Sequence, residues 1–175
     1  MKNFNKCVFL DRDGVLNKDL GYLSSIKEFK IYPFTGKAIK LLNDQGYLVI
    51  LITNQSGIGR GLITLEELNS IHGYLKKIIK KNKAIIDDIY FCPFHPTHGV
   101  GKYRKETQDR KPGSGMIKKA IKKWKIDNNT SFMIGDKKKD LLCAQGAGVK
   151  FYYKSKKKNL YTQLKEIVKN KKVIL

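Results

Sequence analysis

The chain has 175 residues, 41% of them hydrophobic, which is enough for one compact core and short for two. Lys and Arg total 36 against 15 Asp and Glu, a net charge of +21 that excludes an acidic surface and makes an anionic or phosphorylated partner the first class to consider. Of those cations 32 are lysine, so the four arginines, Arg12, Arg60, Arg104 and Arg110, each invite a specific explanation. The odd set of widely spaced cysteines, Cys7, Cys92 and Cys143, does not read as a disulfide framework. The amino terminus has too short an apolar run for a signal peptide, and no run approaches the roughly 20 apolar residues of a membrane span. The expectation is a single soluble cytoplasmic domain over residues 1–175, with no membrane partner.

In chain order, Cys7 to Leu10 is predicted as a buried strand that runs into Asp11-Arg12-Asp13-Gly14. Two carboxylates two residues apart at a strand end can serve one site, where one attacks phosphorus and the other moves protons; an ordinary Asp/Gly turn is the alternative. A short helix over Gly36 to Asn43 precedes a second strand, Tyr47 to Thr53. That strand opens into Thr53-Asn54-Gln55-Ser56-Gly57-Ile58-Gly59-Arg60-Gly61, where a hydroxyl, amides and glycine-freed backbone N–H groups form either a phosphate cradle or a flexible loop. Thr64 with Glu67 three residues on reads as a capping box for a longer helix. Ile85 to Cys92 is the third predicted strand.

Asp109-Arg110-Lys111-Pro112-Gly113 then stands before a helix beginning near Ser114. A lysine there can offset charge on a transferring phosphoryl group, and arginine offers a planar fork to a second anion. Met116, Ile117, Ala120, Ile121 and Trp124 recur at helical spacing, and Lys118, Lys119, Lys122, Lys123 and Lys125 fill the other face, which reads as solvated. The strand Ser131 to Ile134 runs into Gly135-Asp136-Lys137-Lys138-Lys139-Asp140. Carboxylates here and on the first strand suit Mg²⁺. Asp136 reads as a ligand, and two readings are open for Asp140, ligand or cap of the next helix. Val149 to Tyr153 is the last predicted strand. The alternation implies an α/β doubly wound parallel sheet with its ligands beyond the carboxyl ends of the strands.

Taken in this order and strand context, FLDRDG, TNQSG, RKPG and GDKKKD resemble the four motifs of the haloacid dehalogenase superfamily of phosphohydrolases. With DRDGVLN, DLGY, TNQSGIGRG, YFCP and DRKPGSGM added, nearly the whole chain resembles the heptose-1,7-bisphosphate phosphatase branch, to which histidinol-phosphate phosphatases are close. The resemblance implies a HAD-like, Rossmannoid fold and hydrolysis of one phosphate, the 7-phosphate, of a heptose 1,7-bisphosphate through an aspartyl phosphate, in the synthesis of nucleotide-activated heptose. It implies Asp11 as nucleophile, Asp13 as general acid and base, and Thr53 and Lys111 as phosphoryl binders. Mg²⁺ would be held by Asp11, Asp136 and the Asp13 carbonyl. Substrate contacts would come from Asp19, Leu20, Gly21, Tyr22, Asn54, Gln55, Ser56, Arg110 and Lys137, and the enzyme would work as a monomer on a small sugar bisphosphate, with no specific nucleic-acid partner.

The chain departs from that pattern in one place that matters. Relatives often carry a structural zinc on a Cys-x-His pair and a Cys-x-Cys pair, whereas here the first pair reads Cys92-Pro93-Phe94, with His95 one place late, and the second reads Thr107-Gln108-Asp109. Structural zinc is therefore not expected, with Cys92, His95, His98 and Asp109 as the one improvised set the chain offers. Ser114 also stands where relatives often have proline. The 42 residues from Asp11 to Thr53 and the 58 from Thr53 to Lys111 already hold strands and helices. They leave no room for a large cap, so loops near 17–32, 56–63 and 93–110 are expected to roof the site. Two rival enzymatic readings are a histidinol-phosphate phosphatase, on the same motifs, and a polynucleotide 3′-phosphatase drawing on the charge; a basic scaffold without activity would need a damaged site, whereas all four motifs keep their acids and cations.

Overall fold

Among residues 4–172, which the computed structural model describes, five apolar strands pair side by side, all parallel, in the order β3-β2-β1-β4-β5. They are β1 (Cys7–Leu10), β2 (Leu48–Asn54), β3 (Asp88–Cys92), β4 (Phe132–Gly135) and β5 (Lys150–Tyr153). Between and after them run α1 (Thr35–Asp44), α2 (Leu65–Lys81), α3 (Gly115–Trp124), α4 (Lys138–Gly146) and α5 (Leu160–Lys172).

The two-residue alternation of each strand sorts its side chains into two cores. Val8, Leu10, Val49, Leu51, Phe132 and Ile134 face α1, α2 and α5. Cys7, Phe9, Ile50, Ile52 and Met133 face α3 and α4. Every residue of β1 is fully buried; at about 1.5–3 kcal/mol for each large apolar side chain, a polar substitution there would cost more than the strand's own propensity supplies. The chain leaves β1 toward β2 and β3 on one side and returns to β4 on the other, so β1 and β4 flank the switch point where ligands of such sheets bind. Leu10 lies opposite both Leu51 and Ile134, which brings Asp11, the end of β2 and Asp136 to one edge.

The structure adjusts several boundaries. Strand β3 starts at Asp88 instead of Ile85, because Asp87 turns its carboxylate to the Val49 amide, 2.7 Å away, and Ile85 stays 62% exposed. Ser131 lies outside β4, its hydroxyl bridging the Cys7 amide and the Asp127 carbonyl. The Thr64–Glu67 capping box is present in both directions. Helix α5 went unread in the sequence although Leu160, Leu164 and Val168 recur every four residues and are buried. The five lysines assigned to the polar face of α3 are all exposed.

Candidate active site

At the end of β1, Asp11 sits buried, 4% exposed, with Lys111 beside it. The Lys111 ammonium is 2.9 Å from Asp11 Oδ1 and 2.6 Å from Asp140 Oδ1, and donates to the Ile52 carbonyl at 2.9 Å. A buried ammonium requires such partners. Burial alone would lower the Lys111 pKa, but the two carboxylates outweigh it and the net direction is up. Burial raises Asp11 to about 6, with Asp140 adding to the rise and Lys111 opposing it. Asp140 serves as the cap as well, accepting the Lys137 amide at 3.0 Å, so its two readings do not exclude each other. Asn54 grips the Lys111 backbone from both sides, donating to its carbonyl and accepting its amide, each at 3.0 Å. Its side-chain amide thus ties Lys111 to the end of β2, and Asn54 also lines the cleft.

Asp13 is held as tightly from another direction. Arg12 donates to both of its oxygens at 3.1 Å, Asn17 to Oδ1 at 2.9 Å and Gln55 to Oδ2 at 2.9 Å. Gln55 also donates to the Thr53 hydroxyl at 2.9 Å, tying the Asp13 carboxylate to the threonine of the cradle. Asn17 is fully buried, and the sequence reading passed over it.

On the β4 side the polar groups are left incomplete. Asp11, Asp136 and Asp140 each offer an oxygen within 4.8 Å of the others, the one group of three or more metal-ligating side chains among the described residues. Asp136 Oδ1 is buried without a hydrogen-bond partner, and burial raises the Asp136 pKa against the pull of Lys137. Gly14 has φ +83°, and a Cβ there would lie 2.4 Å from Asp136 Oδ2, so only glycine permits this approach. A hard, oxygen-only donor set with an unpaired carboxylate oxygen fits Mg²⁺.

Between these groups lies a cleft of about 290 Å³ walled by Asp11, Asp13, Asp19, Gly21, Tyr22, Thr53, Asn54, Gln55, Ser56, Arg110, Lys137 and Lys139. Leu20 is 54% exposed and outside this wall, unlike its neighbours in the DLGY segment. Lys139 was missed, since one lysine in a run of three carries no signal of its own; burial and the nearby Lys111 lower its pKa. Lys137 pairs with Asp19 at 2.5 Å across the mouth. Against opposing burial, this pairing raises the Lys137 pKa and lowers that of Asp19. The Tyr22 hydroxyl accepts from Arg60, whose guanidinium also lies 5.0 Å from the ring centroid.

The expected roofing loops pack on one another. Val100 donates to the Gly59 carbonyl at 2.7 Å, and a Cβ on Gly59 would meet the Pro93 carbonyl at 2.3 Å. The 93–110 segment is further fastened by Arg104 on the Gly99 carbonyl at 2.8 Å, His95 N–H on Tyr103 at 3.1 Å and Arg110 on Phe94 at 2.9 Å. The improvised zinc ligands do not fit a metal. Cys92 is buried in the α3 and α4 core with its thiol pKa raised by burial, and Asp109 pairs with Lys119. His95 Nδ1 already accepts from the Thr97 and His98 amides at 3.3 and 3.1 Å. All four arginines are therefore bonded to the scaffold, and of them only Arg110 also lines the cleft.

A family model described as haloacid dehalogenase-like hydrolase matches residues 101–154. The D-glycero-beta-D-manno-heptose-1,7-bisphosphate 7-phosphatase of Haemophilus ducreyi is 44% identical over 146 residues, 83% of this chain and 80% of its own. The D-glycero-alpha-D-manno-heptose-1,7-bisphosphate 7-phosphatase of Burkholderia mallei is 41% identical over 149 residues, 83% and 77% of the two chains. A solved D,D-heptose 1,7-bisphosphate phosphatase from B. bronchiseptica, complexed with magnesium and phosphate, aligns with a TM-score of 0.78 at 26% identity, covering 94% of this chain and 99% of that one. Sheet order, the acid and lysine axis and these likenesses agree: the chain belongs to the heptose-1,7-bisphosphate 7-phosphatase family of haloacid dehalogenase-like hydrolases, which are phosphoric monoester hydrolases.

Proposed function

We propose that this chain hydrolyses the 7-phosphate of a D-glycero-D-manno-heptose 1,7-bisphosphate through an aspartyl phosphate on Asp11. The observation that carries the reading is the axis in which one buried lysine spans Asp11 and Asp140, beside an Asp13 held at the same cleft. Asp11 Oδ attacks phosphorus; the Asp11–phosphorus bond forms as the ester P–O bond breaks. Asp13 gives its proton to the departing sugar oxygen, then takes one from the water that hydrolyses the aspartyl phosphate and restores Asp11. Lys111 and the Thr53 hydroxyl stabilise charge on the transferring oxygens, acting from positions set before substrate arrives.

Asp11, Asp136 and the Asp13 carbonyl would hold Mg²⁺, which when bound neutralises charge on the phosphoryl oxygens. Gly21, Tyr22, Gln55 and Ser56 shape the sugar pocket, and Arg110 and Lys137, at the mouth, receive the second phosphate. A cleft of about 290 Å³ suits a small ester. In this reading the enzyme works as a cytoplasmic monomer with no specific nucleic-acid partner, and the exposed lysines add only general attraction for anions within about 8 Å. The three free thiols suit a reducing compartment.

The test is Mg²⁺-dependent phosphate release from both anomers of the heptose bisphosphate, histidinol phosphate and a 3′-phosphorylated oligonucleotide. A heptose anomer is expected to give the highest kcat/KM, and Asp11→Asn to lower it by at least about 10³-fold. Greater turnover of either rival substrate, or near-normal turnover by Asp11→Asn, overturns the reading.

A further inference from the structure

Arg12 and His72 form a buried pair that the chemistry above does not use. Arg12 is 1% exposed, the largest side chain among the described residues to be so enclosed, and does not line the cleft. Its Nε and one terminal nitrogen grip the two oxygens of Asp13, each at 3.1 Å. Its other terminal nitrogen, Nη1, lies 3.1 Å from His72 Nε2 on α2, and the guanidinium sits 5.6 Å from the centroid of the Phe29 ring. A guanidinium only donates, so His72 Nε2 accepts, which requires the ring to be unprotonated at that nitrogen. Burial, with the Arg12 charge adding to it, holds the His72 pKa down at about 3 and keeps it in that form.

The fork geometry has a consequence for Asp13. Two parallel N–H···O bonds fix the plane of a carboxylate as well as its position, which a single point charge does not. His72 in turn fixes the plane of the guanidinium from α2. We infer that Arg12, backed by His72, is a positioning residue that sets the plane in which Asp13 exchanges its proton with the leaving oxygen. The inference rests on Asp13 being the general acid of the proposed function.

Leaving groups separate this role from a structural one. An alkyl phosphate such as the heptose bisphosphate needs its leaving oxygen protonated, whereas p-nitrophenyl phosphate expels a stable phenolate without help. Asp13→Asn is expected to lower kcat/KM for the heptose bisphosphate by roughly 10²–10⁴-fold, the range of general acid catalysis, and much less for the aryl ester. Arg12→Gln is expected to reproduce that asymmetry at about tenfold or more, and Arg12→Lys, which keeps charge and loses the fork, to restore only part of it.

His72→Leu and His72→Gln form the second pair, the glutamine retaining an acceptor for Arg12. The leucine variant should show the asymmetry and the glutamine variant little of it, and this pair decides the matter where Arg12→Gln does not fold. Equal losses on both esters in Arg12→Gln, or equal ester ratios in the two His72 variants, overturn the inference. If Asp13→Asn itself shows no asymmetry, the assignment of Asp13 fails instead; if it does and the Arg12 and His72 variants do not, the assignment stands and this inference alone falls.

Discussion

The two carboxylates that flank Asp11 are held in opposite ways. Both oxygens of Asp13 are satisfied by protein donors, from Arg12, Asn17 and Gln55. Asp136 has a buried oxygen with no partner and stands in a cluster with Asp11 and Asp140. The protein itself completes the Asp13 carboxylate, whereas on the β4 side it leaves a carboxylate oxygen unpaired. A group that must transfer a proton at a defined angle profits from rigid holding, whereas a metal site gains affinity from oxygens left unpaired until the ion binds. Lys111 stands where the two sides meet, and that makes it the place where the contrast breaks most severely.

Lys111→Met leaves Asp11 and Asp140 buried without their shared cation, so about 3–5 kcal/mol of unfolding free energy should be lost, measurable by denaturant titration. A loss below about 1 kcal/mol would mean that water or relaxation completes this axis as readily as it would an exposed pair. Asp136→Asn sharpens the comparison next. Wild type is expected to gain about 2.7 kcal/mol at Mg²⁺ one hundredfold above Kd, and the variant should lose that gain while its metal-free Tm rises, as one acid of the cluster is removed. An unchanged Mg²⁺-induced rise in Tm would place the cation elsewhere.

The pH dependence follows from Asp11. Burial raises its pKa to about 6 in the metal-free protein. The protonated form accumulates as pH falls through that value, and a protonated carboxyl does not bind the cation. Mg²⁺ affinity measured by calorimetry should therefore weaken by about tenfold for each pH unit below the transition and level off above it; affinity that is flat across the transition would show that Asp11 contributes no titrating ligand. The smallest effect belongs to the Asp13 side. Asn17→Ala removes one donor from Asp13 and leaves three, so stability should fall by about 0.5–1.5 kcal/mol with Mg²⁺ affinity unchanged.

The motifs at the ends of β1, β2 and β4 were legible because a strand followed by acid, hydroxyl or glycine is a local pattern. Their convergence follows once the strands lie parallel and side by side. Lys111 was legible through its motif, yet its pairing with Asp140 depends on α4 starting beside β4. Asn17, His72 and Lys139 went unread since each is an ordinary polar residue in its own neighbourhood; the fold gives Asn17 and His72 their partners and sets Lys139 in the cleft wall. Asn54 lines the cleft and also holds the Lys111 backbone, a second role that only the fold supplies.

What the sequence determined by itself was the order of buried strands, the acids at their ends, the capping box of α2 and the missing zinc ligands, all of which depend on residue type and spacing along the chain. The tertiary structure decided which polar groups are spent on one another and which are left unpaired. Hydrogen bonds of about 3 Å between residues as far apart as Arg12 and His72 are settled by packing, and packing is a property of the whole sheet and its helices. Arginine was scarce in the sequence and conspicuous for it; the fold uses all four as fasteners, and Arg110, bonded to the Phe94 carbonyl, also faces the cleft.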